Sequence, residues 1–390
     1  MVVLSLMELP LNNLVEILSR LPIKTIFICR CVCKTFRDLT SNSNPYFIAL
    51  HSQNAATQHD LIIQFGYYAA YMKGQISLLD AQIDINPEKK LRVSSVFNFP
   101  YCKNNAQESH EFGLVNACNG LIYCANKSSD RYSFVCNPIT REYIRVPDVD
   151  EERKLRDYIC SLWLGFSPIS KVYKVIGIYY TDDSVFGAHI HVVGSSTSWR
   201  DVDYAPLADL IDWHYSYAFT NGIGYWLCHY DHLLSGGGNF IVSFDFEREI
   251  FGKINAPPSF DDYSLRRRAS MRIGVLGDLL CLIDNNHRRL DIWIVNECGQ
   301  WIKQFSSVRA VHKPLYQKRL RPLQLLSSTG EILMVSNNRD LVCYDMKRNR
   351  SRSIKIHMRT SDNFYVVKQY FNAVNFVPSF VPLKDALMGN

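Results

Sequence analysis

The strongest constraint on this chain is a repeat of turns. A polar turn recurs as Asn137-Pro138-Ile139-Thr140-Arg141-Glu142, Ser195-Ser196-Thr197-Ser198-Trp199-Arg200 and Asp245-Phe246-Glu247-Arg248-Glu249. It returns as Asn296-Glu297-Cys298-Gly299-Gln300-Trp301 and Asp345-Met346-Lys347-Arg348-Asn349. Starts at 137, 195, 245, 296 and 345 set a period of about 50 residues. A glycine-bearing turn keeps step with it at Asn119-Gly120, Asn221-Gly222, Gly277-Asp278 and Thr329-Gly330. Between the turns lie short runs rich in Val, Ile, Tyr, Phe and Trp, which read as strands. Glycine with positive φ folds one such strand back on the next.

A unit of this kind cannot bury both faces alone, so several must close into a ring. The expected fold is mainly β, a kelch-like β-propeller of about six blades over residues 61–385. A weaker first unit is expected around Ser77-Leu78-Leu79-Asp80, and a closing strand within 364–383.

Residues 8–40 follow a different period. Leu14, Ile17, Leu18 and Leu21 form one apolar helical face, with Asn12 or Asn13 as cap, Glu16 in the first turn and Pro22 as the stop. A second apolar run (Ile23, Ile26, Phe27, Ile28) and a third segment from Val32 to Leu39 complete a three-helix module. Three short helices in about 40 residues bury too little surface to fold alone, and their large aliphatics suggest a protein partner. Phe47-Ile48 would anchor the end of the module, giving expected boundaries of 1–48 for the module, 49–60 for a linker and 61–385 for the propeller.

The helical segment resembles the F-box of plant F-box proteins, through Leu9-Pro10, Val15-Glu16-Ile17-Leu18-Ser19-Arg20-Leu21-Pro22 and Arg30-Cys31-Val32-Cys33-Lys34-Thr35-Phe36. It departs from that pattern at Phe36, where Trp is usual, at Leu11, where an acidic residue is common, and at Asn13, where Leu is common. The resemblance implies docking on a Skp1-like adaptor, and through it a cullin, in an SCF-type ubiquitin ligase. The residues expected to carry that contact are Leu9, Pro10, Ile17, Leu18, Leu21, Pro22, Val32, Lys34 and Phe36. Some of them must instead form the module's own core, and sequence does not divide them.

The β region resembles the F-box-associated domain of the same plant proteins. Gly120-Leu121, Cys136-Asn137-Pro138-Ile139-Thr140, Leu164-Gly165-Phe166-Ser167-Pro168 and Tyr173-Lys174-Val175 carry the likeness. Ser198-Trp199-Arg200, Asn221-Gly222, Tyr225-Trp226, Phe244-Asp245-Phe246-Glu247 and Asp291-Ile292-Trp293 extend it. It implies a non-catalytic receptor that captures a protein substrate for ubiquitylation and degradation. An adaptor-independent scaffold or glycan reader is the alternative, with Trp213, Tyr215 and Tyr263 as its exposed aromatics.

Composition narrows the remaining classes. No apolar run approaches the roughly 20 residues of a membrane helix. The opening MVVLSLMELP lacks a basic n-region and a cleavage site, so a secretory leader is not expected. Twelve cysteines form no C-x-x-C pair and sit mostly in apolar runs, which fits buried reduced thiols in cytoplasm or nucleus. A net charge of +6 over 390 residues is modest, and nucleic acid is not an expected partner. Searches for H-E-x-x-H, G-x-S-x-G, a P-loop or a dinucleotide fingerprint find none, so no cofactor is expected. Ser235-Gly236-Gly237-Gly238-Asn239 precedes a strand and reads as a loop, and His189 with His191 lacks a third metal ligand.

In a four-stranded blade the first and third turns share one edge of the ring, and the remaining connections share the other. The long connections 181–188, 229–238, 284–289, 205–216, 256–270 and 306–321 would all fall on that second edge. Long loops on a rigid scaffold are where recognition sits. Arg266, Arg267, Arg268, Arg288, Arg289, Lys318, Arg319 and Arg321, with His287, His312 and Lys313, would make part of that edge basic. Such an edge suits an acidic or phosphorylated protein segment.

Overall fold

The computed structural model describes residues 8–55, 60–65, 75–79, 91–98, 112–126, 133–149, 157–181, 186–196, 198–202, 217–228, 240–257, 271–285, 289–308, 315, 318–326, 329–354, 356–359, 364–366 and 371–388. Arg266, Arg267, Arg268, Arg288, Trp213, Tyr215, Tyr263, His287, His312, Lys313 and the glycine run 235–239 lie outside these residues.

Four helices open the chain: α1 (Leu11–Ser19), α2 (Ile23–Val32), α3 (Lys34–Leu39) and α4 (Pro45–Ala55). Helix α1 starts directly behind Pro10, whose φ of −53° already suits the turn, and no side chain caps it. The expected caps Asn12 and Asn13 therefore lie inside the first turn, and Glu16 instead pairs with Arg20 one turn on, at 2.5 Å. Pro22 takes the corresponding place before α2. Helix α4 runs through Ala55, across residues expected as linker. Its Phe47 and His51, one turn apart, both pack on Phe380, and that contact supports a helix where local sequence reads as a connector.

The strands then begin with β1 (Asp60–Phe65), β2 (Gln75–Leu79) and β3 (Leu91–Asn98). Five four-stranded antiparallel blades follow. They are β4 (Phe112–Cys118), β5 (Leu121–Asn126), β6 (Ser133–Asn137), β7 (Glu142–Val146); then β8 (Asp157–Ser167), β9 (Val172–Thr181), β10 (Phe186–Val192), β11 (Arg200–Val202). The third is β12 (Tyr217–Thr220), β13 (Ile223–Cys228), β14 (Phe240–Asp245), β15 (Ile250–Asn255). The fourth is β16 (Met271–Leu276), β17 (Leu279–Asn285), β18 (Arg289–Val295), β19 (Trp301–Val308), and the fifth β20 (Leu320–Leu325), β21 (Ile332–Ser336), β22 (Asp340–Asp345), β23 (Arg350–Ile354). The chain ends in β24 (Ile356–Arg359), β25 (Phe364–Val366), β26 (Phe371–Phe376) and α5 (Leu383–Met388).

Each repeated polar turn joins the third and fourth strands of a blade. The mechanism is local: Asp245 Oδ1 accepts the amides of Glu247 (2.9 Å) and Arg248 (3.0 Å), and Asp345 Oδ1 accepts those of Lys347 and Arg348 at the same distances. Asn137 does likewise for Ile139 at 2.9 Å.

The expectation of about six blades is corrected: among the described residues there are five four-stranded blades. Beside the five regular blades stands one six-stranded sheet, ordered β25-β24-β3-β2-β1-β26. Its β24 runs parallel to β3, and β26 closes on β1 in antiparallel register from Asp60↔Phe376 to Phe65↔Phe371. Pairing between opposite ends of the chain leaves no periodic trace in the sequence.

The first strands of the blades and β26 are the inner strands, with β4 against β8, β12 against β16, β16 against β20, and β26 between β20 and β4. Polar groups fix neighbouring blades in register. Asn116 donates to Leu164 O (2.7 Å) and accepts from Leu164 N (3.1 Å). Gly165 lies flush on the Phe246 ring, where a Cβ would fall 2.3 Å from ring carbon. The turn edge carries a C-terminal strap after β26. Asn137 Nδ2 donates to Ser379 O (3.0 Å) and Val381 O (2.9 Å), Leu383 N donates to Glu142 (2.7 Å), and Leu387 of α5 lies over Gly194.

Candidate functional site

The structure offers two candidate surfaces on opposite edges of the ring. The first is the helical module. Its inner side is buried against the propeller: Leu14, Val15, Leu18, Ile23, Ile26, Phe36 and Phe47 share one apolar cluster with Ile122, Phe134, Ile139, Phe376 and Phe380. Ile139 belongs to a repeated turn and Phe380 to the strap, so the module sits on the turn edge.

Arg30 locks this seat. Its guanidinium donates to Thr40 O, to Thr40 Oγ1 (3.1 Å) and to Asn42 Oδ1 (3.2 Å), and lies 4.7 Å from the centre of the Phe380 ring. Burial lowers its pKa from the usual arginine value. His51, wedged between Phe47 and Phe380, has its pKa pushed down to about 4 by burial and then by the Arg30 charge.

The outer side of the module remains apolar and exposed. On α2, Ile23 and Ile26 face inward while Ile28 (65 % exposed) and Val32 (67 %), one turn apart, face out. A helix apolar on both sides has a second surface to cover. Leu11 and Ile17 add further exposed aliphatic surface on α1. The residues expected at an adaptor contact divide accordingly. Pro10, Ile17, Val32 and Lys34 are exposed; Leu9, Leu21 and Pro22 are half-buried; Leu18 and Phe36 are core. Ile28 was not among the expected contacts, although the two-sided apolar pattern of α2 carries its signal.

The second surface is the long-connection edge. Asn285, at the end of β17, donates to Leu315 O (2.7 Å) and Lys318 O (2.8 Å), which ties the fourth blade to the connection entering the fifth. Arg289, Lys318, Arg319 and Arg321 are thereby brought into one region of adjoining blades. Their environments differ. Arg289 Nε lies 2.8 Å from the fully buried Asp291, and Lys318 Nζ lies 3.3 Å from Asp340. Arg319 is exposed. Arg321 turns inward, donating to Asn372 Oδ1 (3.1 Å) and Ala373 O (2.7 Å) of β26. Arg272, absent from the expected set, is buried near Arg321 on β16.

The remaining candidates fall into packing roles. His189 stacks on Tyr179 at 4.1 Å with its Nδ1 2.7 Å from Asp201, and His191 packs on Trp199. Among the described residues no group of three or more His, Cys, Asp or Glu could hold a metal ion. Cys118, Cys124, Cys136, Cys281 and Cys343 are buried free thiols. Among the described residues no helix is long and apolar enough to cross a membrane.

Comparison with known proteins places both parts. Residues 6–48 match the F-box domain, and residues 77–380 match the F-box associated beta propeller domain. Three Arabidopsis thaliana proteins are similar along most of their length. F-box protein At3g07870 is 24 % identical over 90 % of this chain and 88 % of its own. F-box protein CPR1 is 24 % identical over 89 % and 84 %, and F-box protein DOR 21 % identical over 89 % and 88 %. With helices on the turn edge and a β ring behind them, the chain belongs to the F-box associated beta propeller family and carries an F-box domain at its N-terminal end.

Proposed function

We propose that this chain is a non-catalytic substrate receptor of an SCF-type ubiquitin ligase. Its helical module binds a Skp1-like adaptor, and through it a cullin, while the long-connection edge captures a protein for ubiquitylation. The observation that carries this reading is the exposed aliphatic stripe of Ile28 and Val32 on a module whose other side is fixed to the turn edge. Two binding surfaces then point away from each other, and substrate is held at high local concentration near the transfer machinery. Pro10, Ile17, Val32 and Lys34 contact the adaptor directly in this reading, and Leu18 and Phe36 support them from the core.

Arg319 and the basic residues of the adjoining connections favour an acidic or phosphorylated substrate segment. The kelch-like description of the blades rests on the repeat of about 50 residues. The cytoplasm and nucleus are where such a complex would act. Binding of the purified full-length chain to a Skp1-like adaptor tests the proposal, with Ile28→Asp plus Val32→Asp as the paired variant. Tight binding lost in the variant, with unfolding unchanged, is expected. No binding by the folded wild-type chain would overturn the receptor reading.

A further inference from the structure

Two buried polar side chains end facing rows at the long-connection end of the seam between the fourth and fifth blades. Cys281 and Ile283 of β17 share one apolar cluster with Ile332 and Met334 of β21. Strand alternation carries these rows on to Asn285 and Ser336, the next same-face residues of the two strands. Both residues are fully buried. The orientation of the Asn285 amide is fixed, because Nδ2 donates to Leu315 O (2.7 Å) and Lys318 O (2.8 Å) and so identifies Oδ1 as the acceptor on its other side. Among the described residues neither Asn285 Oδ1 nor Ser336 Oγ has a hydrogen-bond partner. Apolar side chains wall the place. Leu290 stands across from Asn285 in register, Leu320 across from Ser336, and Leu315 joins the same cluster. Asp340, on the other side of Ser336, is engaged by Lys318 Nζ at 3.3 Å. A buried acceptor and a buried hydroxyl without partners are costly, and protein interiors satisfy nearly all such groups.

We propose that Asn285 Oδ1 and Ser336 Oγ form a seat for buried water, one molecule or two in line, that bridges the fourth and fifth blades. Water is the ligand this chemistry selects. It donates to the amide oxygen, donates to or accepts from the hydroxyl, and is small enough for a place where neither residue reaches solvent. The seat bears on the connection that enters the fifth blade. Asn285 holds Leu315 O and Lys318 O, and Lys318 N donates back to Leu315 O at 3.2 Å. Anchoring Asn285 from its other side therefore steadies the backbone that presents Lys318 and Arg319 at the long-connection edge. That role in capture rests on the receptor reading; the seat does not, and its test uses neither adaptor nor substrate.

A crystal structure of the full-length chain that resolves ordered water tests the seat. Water within about 3.2 Å of both atoms, or two waters linking them, is expected. A seam without water there, or a protein group within hydrogen-bonding reach of Asn285 Oδ1 or Ser336 Oγ, overturns it. Hydrogen exchange at the Lys318 amide reads the anchoring. Ser336→Ala removes one end of the bridge with little change in volume and is expected to speed that exchange about tenfold. Ser336→Thr, which keeps the hydroxyl, should restore the wild-type rate. Water in the seam with exchange unchanged in Ser336→Ala would keep the seat and overturn the anchoring of the connection. Failure of the folded chain to bind adaptor would sink the receptor reading and leave the seat standing.

Discussion

The Arg30 guanidinium stands 4.7 Å from the centre of the Phe380 ring, joining the first helices of the chain to its last strap. Phe380 also meets Phe27 at 5.9 Å, Phe47 at 5.4 Å and His51 at 4.9 Å. One aromatic ring thus sets how the F-box is held on the propeller. Phe380→Ala removes that ring from a closed cluster and is expected to cost about 3–5 kcal/mol. Urea unfolding would read the loss, and limited proteolysis would show earlier cleavage between α4 and β1.

The same cluster makes stability depend on pH. The native pKa of His51, about 4, lies below its ordinary value of 6.5, so the unfolded chain binds the extra proton. The stabilisation is fully present above pH 6.5 and is lost as pH falls toward 4, on the order of 3 kcal/mol. His51→Leu should flatten unfolding free energy against pH in that window. An unchanged slope would show that other groups carry the acid sensitivity.

Substitutions within the F-box should separate by side. Leu18→Ala empties a core site and should cost about 2–5 kcal/mol. Ile17→Ala and Val32→Ala, at exposed sites, should change stability by about 0.5 kcal/mol or less while weakening adaptor binding. Thermal unfolding beside adaptor titration would test the division.

Asn137 holds two jobs at once, capping its own turn through Oδ1 and clasping the strap through Nδ2. Asn137→Asp keeps the cap and turns the strap donor into an acceptor facing two carbonyls. A loss of about 2–4 kcal/mol is expected, larger than for Asn137→Ser. Equal losses in the two variants would assign the effect to the turn alone.

Gly165→Ala would push a methyl group into the Phe246 ring between the second and third blades. Overpacking of this kind costs about 1–3 kcal/mol. Melting of the variant alongside Gly252→Ala, whose Cβ would meet only the Ser243 hydroxyl at 2.8 Å, would isolate that contact.

Much of the architecture was legible because its signals are local. Asp245 and Asp345 accept amides two and three residues ahead, so the sequence of each turn contains its own mechanism. The F-box and propeller resemblances likewise rested on contiguous residues. The misread elements depend on distant partners. The α1 start moved because Pro10, two residues before the first of the expected caps, set the backbone for the helix. Helix α4 continued past Ile48, where His51 meets Phe380. The six-stranded sheet joins strands from both termini.

The sequence by itself determined the elements: which runs are strands, where they turn, and that a helical module precedes them. Short-range hydrogen bonding and apolar periodicity suffice for that. Only the tertiary structure decided which F-box aliphatics are core and which are surface. Helix α2 is apolar on both sides, and the strap's Phe380 packs beside its inner side. Only the tertiary structure, likewise, brought Arg272 beside Arg321, since strand periodicity does not specify which residues of neighbouring blades meet. Burial and long-range electrostatics belong to the assembled ring, and no stretch of chain encodes them alone.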